Sequence, residues 1–217
     1  MDHKTWLGLP AAERIAAVGH RRYTGGADPE MWYGIGKLQY HFLVMQGLQP
    51  QHKFLDIACG ALRLGQFLIP YLKAGNYQGL DAQKELSDLA LEHELPADLV
   101  ADRKPVFQYN REFDFTGFKK PKFAMAQSLF THLLEEDIRL CLRNFREIAQ
   151  KDTKFFFTYF DGDRSRNPTD RSHPNMNFFY RYEELEGFAA EEGWTTTLIG
   201  HWNHPRDQRM IMAQPKK

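Results

Sequence analysis

From residue 53 onward the chain alternates short apolar runs with stretches in which apolar residues return every three or four positions. The strand-like runs fall at residues 53–58, 76–80, 106–109, 123–126 and 154–160. Between them lie helical patterns at 62–72, 83–93 and 135–150, the last carrying Ile138, Cys141, Phe145 and Ile148 on one stripe. Strands that alternate with helices imply a doubly wound α/β fold, a mostly parallel sheet with helices on both faces. A polar stretch through Asn177 shows no periodicity. It is followed by an expected helix near 182–192 and two more strand-like runs, 195–201 and 209–214. The short connection His204-Pro205-Arg206-Asp207 makes these last two an antiparallel hairpin.

The front of the chain reads differently. Asp28-Pro29 has the form of a helix cap followed by a first-turn proline, and Ile35, Leu38, Phe42 and Met45 recur at spacings of 3, 4 and 3 before Gly47 and Pro50 stop the pattern. Residues 1–50 are therefore expected to form a helical extension and 51–217 the sheet domain. No repeat or long linker separates them.

Charge and composition narrow the function. Lys plus Arg and Asp plus Glu both number 28, so no basic field exists to attract nucleic acid or anionic lipid. Aromatic residues make up 14% of the chain, too rich in apolar rings for disorder. No apolar run approaches the ~20 residues that cross a bilayer. With only Cys59 and Cys141 and no apolar leader, a cytoplasmic protein without a disulfide framework is expected. No paired Cys or His spacing suggests a metal site.

Candidate chemistry begins at Phe54-Leu55-Asp56-Ile57-Ala58-Cys59-Gly60-Ala61-Leu62-Arg63-Leu64-Gly65, where a buried strand ends in a turn of small residues and opens a helix. In open α/β sheets ligands bind at the carboxyl ends of the central strands, and small residues let a ligand approach the backbone. The second strand ends in Asp81, a carboxylate placed to accept both hydroxyls of a ribose.

With these two anchors, residues 53–214 resemble the class I S-adenosylmethionine-dependent methyltransferases. Leu55-Asp56-Ile57-Ala58-Cys59-Gly60 matches the family's first motif in its strand, acid and middle glycine, while Ala58 and Leu62 replace two glycines. The resemblance implies a Rossmann-like methyltransferase fold, seven-stranded, mostly parallel, with an antiparallel last strand and an N-terminal helical lid. It implies S-adenosylmethionine as cofactor and a small-molecule methyl acceptor, methylated at oxygen rather than nitrogen. It also implies cofactor contacts from Asp56, Ala58, Cys59, Gly60 and Arg63 at the first turn, and from Asp81 with Ala82 at the ribose. Asn110, Glu112 and Phe113 would contact adenine, and Gln127 and Ser128 the methionine end. The segment Gly19-His20-Arg21-Arg22-Tyr23-Thr24-Gly25-Gly26, continued by Trp32-Tyr33-Gly34-Ile35-Gly36-Lys37-Leu38-Gln39, resembles the lid of a bacterial small-molecule subgroup, with Tyr23 or an arginine reaching the cofactor's amino-acid end.

Plainer readings stand beside these. Arg63 is as compatible with a solvated or salt-bridged arginine as with a cofactor ligand. His132 sits where a catalytic base would reach a substrate, yet a histidine there also serves as a cap or packs under the sheet. A non-catalytic S-adenosylmethionine-binding protein and a nicotinamide-dependent oxidoreductase are the rival functions, the latter weakened by the lack of a Gly-x-Gly-x-x-Gly pattern.

Overall fold

The computed structural model describes residue 6 and residues 8–217; residues 1–5 and 7 of the expected front extension lie outside the described residues. Helices α1 (Ala11–Val18) and α2 (His20–Tyr23), a π-helical turn (Glu30–Gly34) and α3 (Ile35–Met45) precede the first strand. The remaining elements alternate as the hydrophobic pattern requires. They are β1 (Phe54–Ile57), α4 (Gly65–Tyr71), β2 (Tyr77–Asp81), α5 (Lys84–His93), α6 (Ala97–Arg103), β3 (Val106–Tyr109), β4 (Phe123–Ala126), α7 (Glu135–Ile148) and β5 (Lys154–Asp161). The chain closes with β6 (Phe179–Tyr180), α8 (Tyr182–Glu191), β7 (Trp194–His201) and β8 (Arg209–Pro215).

The strands run in the order β3-β2-β1-β4-β5-β8-β7, with the two-residue β6 paired to the end of β5. β1 pairs in parallel with β2 and β4, so it is central, and β8 pairs antiparallel with both β5 and β7. The order reverses between β1 and β4, which opens a crevice at their carboxyl ends. Only β6 and α6 have no counterpart in the sequence reading.

Alternation along the strands divides the core into two layers. Leu55, Ile57, Ala124, Phe155, Phe157 and Tyr159 face α7 and α8. The stripe of α7 buries Ile138, Cys141, Leu142 and Phe145 there, and its first turn carries Glu135, Glu136 and Asp137, which complement the helix dipole. Trp194 stacks on Phe145 at 5.5 Å and donates its Nε1–H to Leu142 O at 2.9 Å. Phe54, Tyr77, Phe123, Met125 and Phe156 face the opposite way and pack with α3, α4 and α5.

This second layer changes the reading of the front segment. Helix α3 buries Ile35, Gly36, Gln39 and Leu43, and Phe42 meets Phe156 edge-on at 5.1 Å. Burial of each large apolar side chain stabilises by roughly 1.5–3 kcal/mol, so α3 belongs to the core. Trp32 of the π-helical turn is buried in the same layer, so the stretch from α2 to Gly26 is what remains as a candidate cover. Among the described residues no helix is long and apolar enough to cross a membrane.

Candidate functional site

The turn after β1 is built by backbone conformation. Ala58, Gly60 and Leu62 have φ of 61°, 51° and 59°, so all three alternate positions occupy the left-handed region although only one is glycine. The cost of a left-handed non-glycine residue is roughly 1–2 kcal/mol. The turn bears this twice, which delays the start of α4 to Gly65 instead of the expected residue 62. Leu62 tolerates the conformation because its side chain is wholly buried in the core. Within the turn Cys59 N donates to Leu80 O and Leu62 N to Cys59 O, both at 3.0 Å, and the Gly60 amide between them takes a side-chain carboxylate oxygen.

Asp81 supplies that oxygen. Its Oδ2 accepts from Gly60 N at 2.8 Å across the ends of β1 and β2, and its Oδ1 accepts from Gln83 N at 2.9 Å. Burial pushes this carboxyl up, while the bonds from the Gln83, Gly60 and Ala82 amides pull the other way. Each carboxylate oxygen keeps a further lone pair, so two hydroxyls can still be accepted. Ala82 lies exposed beside it.

Asp56 plays a different part. It is 5% exposed and its Oδ2 accepts from the Tyr77 hydroxyl at 2.7 Å. Burial pushes it up to about 7 against that bond, with the Asp81 charge adding to the rise. It ties β1 to β2 beneath the crevice. Cys59 packs against Gly79, and burial holds its thiol protonated. The adenine candidates lie at the end of β3. The side chain of Asn110 exchanges hydrogen bonds with the Asp114 backbone at 2.9 and 3.0 Å, Glu112 is exposed, and Phe113 packs against the α7-side core.

The end of β4 carries a network that the sequence did not reveal. Gln127 Nε2 lies 3.2 Å from His204 Nε2 and donates to Gln208 Oε1 at 3.1 Å. Gln208 donates to Ser128 Oγ at 2.9 Å and accepts from Thr158 Oγ1 at 2.8 Å, while Thr158 Oγ1 accepts from Ser128 N at 2.7 Å. Gln127 and Ser128 were expected at the crevice; Thr158, His204 and Gln208 join them from β5 and the hairpin, separated by thirty to eighty residues in sequence. Burial, with the charges of Arg206 and Arg63, pushes His204 down to about 4.

His132 follows in the turn after β4. Its Nδ1 lies 2.8 Å from Met176 O. A carbonyl only accepts, so Nδ1 carries the proton and Nε2 keeps a lone pair. Burial is the main reason its pKa falls below the ordinary histidine value, with Arg206 and His173 adding to it. The backbone bonds His173 N to His132 O at 2.9 Å and Phe178 N to Thr131 O at 2.8 Å strap the polar 162–177 excursion onto this turn.

Above the Gly60 turn lies the segment Thr24-Gly25-Gly26. The Thr24 methyl is 3.3 Å from where a Cβ on Gly60 would stand. Arg63 donates to Thr24 O, and Arg206 donates to Gly25 O at 2.7 Å. Helix α2 is anchored by Arg21, which makes two 2.6 Å bonds to Glu94, and by His20 at 2.6 Å from the same carboxylate. Tyr23 packs against the core under Arg14, 5.6 Å from its guanidinium. A cavity of about 350 Å³ opens beside α2 and Trp32, and another of about 420 Å³ near Asp161 and Arg181. The Gly60 turn lines neither, because Thr24 covers it.

No protein-family model matches the chain. Its fold is that of several solved methyltransferases. A S-adenosylmethionine-dependent methyltransferase from Clostridium acetobutylicum aligns at a TM-score of 0.66 and 11% identity, covering 96% of this chain and 100% of that one. The magnesium protoporphyrin IX methyltransferase from Synechocystis, with bound S-adenosylmethionine, aligns at 0.65 and 15% identity over 100% and 98% of the two chains. Human N-acetylserotonin methyltransferase, also in complex with S-adenosylmethionine, aligns at 0.65 and 14% identity over 97% of this chain and 61% of its own.

Proposed function

We propose that this chain is an enzyme that transfers a methyl group from S-adenosylmethionine to a small-molecule acceptor, at oxygen. The observation that carries the reading is the Asp81 carboxylate held against the left-handed Gly60 turn at the carboxyl ends of β1 and β2. A carboxylate with lone pairs free for ribose hydroxyls and a backbone turn under Thr24 stand side by side on a sheet that ends in the antiparallel β8–β7 hairpin. The same hairpin speaks against a nicotinamide enzyme.

When bound, the cofactor supplies an electrophilic methyl carbon on a sulfonium that departs as a neutral thioether. The residues of this chain have the tasks of holding, aligning and drying. Asp81, with Ala82 beside it, would take the ribose hydroxyls, the Gly60 turn would receive the amino-acid end, and Asn110 would flank the adenine. Asp56 and Cys59 support the turn from below. Gln127 and Ser128, fixed by Gln208 and Thr158, border the transfer region. His132 is the general base: neutral, with its tautomer set by Met176 O, it accepts the hydroxyl proton on Nε2 as the acceptor oxygen bonds to the methyl carbon. This favours oxygen over nitrogen, since a hydroxyl gains more from a base than a neutral amine.

The cover is the part from α2 to Gly26. Its carbonyls are held by Arg63 and Arg206 from the two sides of the crevice, and its closure excludes water during transfer. Hydrogen exchange measured with and without S-adenosylhomocysteine tests this. Amides of residues 19–26 are expected to gain protection on binding, while those of α3 stay protected in both states because α3 is core. Equal protection of residues 19–26 in both states would make the segment a fixed brace.

A further inference from the structure

Arg63 and Arg206 come from opposite sides of the crevice, one from the turn before α4 and the other from the β7–β8 connection. Their guanidinium groups donate to two consecutive carbonyls, Thr24 O and Gly25 O. Among the described residues no carboxylate lies within 4.0 Å of either, whereas Arg21, Arg139, Arg143 and Arg164 each hold one. Arg63 is further short of partners. Its Nε is buried without an acceptor, and its charged face rests on the Trp32 ring at 5.5 Å. Burial, helped by the charge of Arg206, pushes its pKa down to about 10. His132 and His204 are both pushed down by the same Arg206 charge in addition to their burial. The two guanidinium groups, close enough for Arg206 to lower the pKa of Arg63, thus bring two positive charges together under Thr24 and Gly25.

Two peptide oxygens are neutral partners for two cations. Guanidinium bonds to a carboxylate or phosphate are roughly twice as strong as those to neutral acceptors and match its geometry in pairs. Thr24 O and Gly25 O each engage one Nη2 of a guanidinium that carries five N–H donors, which leaves donors for such oxygens. Gly25 is what allows this approach: it has φ of 79°, and a Cβ there would come within 2.9 Å of Arg206 Nη1.

We propose that Arg63 and Arg206 form an anion subsite for the methyl acceptor, which therefore carries a carboxylate or a phosphate close to the hydroxyl it offers. The inference rests on the methyltransferase reading and names its substrate class. Charge favours the acceptor over the cofactor as the source of the anion. The amino-acid end of S-adenosylmethionine is zwitterionic and its sulfonium adds a positive charge, so it leaves the two guanidinium groups uncompensated. An anionic acceptor neutralises them through the N–H groups that Thr24 O and Gly25 O leave free, which couples acceptor binding to a cover that stays closed.

The test is a titration of inorganic phosphate, and separately of acetate, into protein saturated with S-adenosylhomocysteine, at constant ionic strength set with chloride. The variant is Arg206→Gln; its side chain is exposed and its loss leaves the core untouched. Wild type is expected to bind one phosphate per chain without displacing S-adenosylhomocysteine, and Arg206→Gln, kept saturated with S-adenosylhomocysteine, to bind phosphate at least tenfold more weakly. Phosphate binding unchanged in Arg206→Gln, or absent from the saturated wild type, overturns the proposal. So does displacement of S-adenosylhomocysteine by phosphate in wild type, which would assign the guanidinium groups to the cofactor's carboxylate. If wild type bound no S-adenosylhomocysteine, the methyltransferase reading would fall, and phosphate titrated into the free proteins would still decide the subsite by the same comparison.

Discussion

Asp81→Ala is expected to weaken S-adenosylhomocysteine binding by about 1.5–3 kcal/mol, roughly 10–150-fold, the scale of hydrogen bonds to a charged group. Two losses contribute. The ribose loses its carboxylate, and the amide of Gly60 loses the acceptor that holds the turn at 2.8 Å. Asp81→Asn separates them, since its amide oxygen can still take one N–H while the charge is gone; it is expected to fall between wild type and Asp81→Ala. Far-ultraviolet circular dichroism should be unchanged, because the strand carrying Asp81 is fixed by ladder bonds to β1 and β3. Parental affinity in a folded Asp81→Ala variant would remove Asp81 as the ribose anchor.

His132→Gln is expected to lower kcat by about 10²–10⁴-fold with little change in S-adenosylhomocysteine affinity, the usual contribution of a general base. The pH profile carries the sharper signature. The base works in its neutral form, and burial, with Arg206 and His173, holds its pKa below 6.5. The kcat of wild type should therefore stay level through neutral pH and fall only below the ordinary histidine range. The glutamine variant should lack that acidic limb. A limb at 6.5 or above in wild type, or one that persists in the variant, would remove His132 from the role and with it the main support for transfer to oxygen.

The parallel core was legible because its signal is local. Residues 106–109 and 123–126 read as strands and form β3 and β4 over those spans. The stripe Ile138, Cys141, Phe145 likewise read as α7 and is buried there. The antiparallel pairing of β8 with β7 also followed from two strand-like runs and a short turn. Failures came where local pattern is thin or misleading. Helix α6 has no buried residue, so its amphipathic signal is weak. Residues 62–64 carry helix-forming side chains, yet the left-handed φ of Leu62 keeps them in the turn. Helix α3 read as part of a cover because it precedes the sheet in sequence; contact with Phe156 across more than a hundred residues makes it core.

The site divides the same way. Asp56, Gly60 and Asp81 were visible because strand ends mark the crevice of an α/β sheet, and the structure brings Gly60 and Asp81 into contact. Thr158, Arg206 and Gln208 were not, since their meaning lies in partners far along the chain. The one advance sign was a polar connection between two otherwise strand-like runs, and it did not say which polar residue turns inward. Gln208 does, buried and bonded to Gln127, Ser128 and Thr158, while Asp207 beside it stays exposed.

The crevice between the Gly60 turn and Asp81 is, on the proposed function, built for an adenosyl amino acid. Calorimetric titration of the purified chain with S-adenosylhomocysteine, and in parallel with NAD, tests it most directly. One S-adenosylhomocysteine is expected to bind per chain with a matching rise in melting temperature, since a ligand that binds only the native state stabilises it by mass action, and NAD is expected not to bind. Binding of NAD without S-adenosylhomocysteine, or of neither, would contradict it.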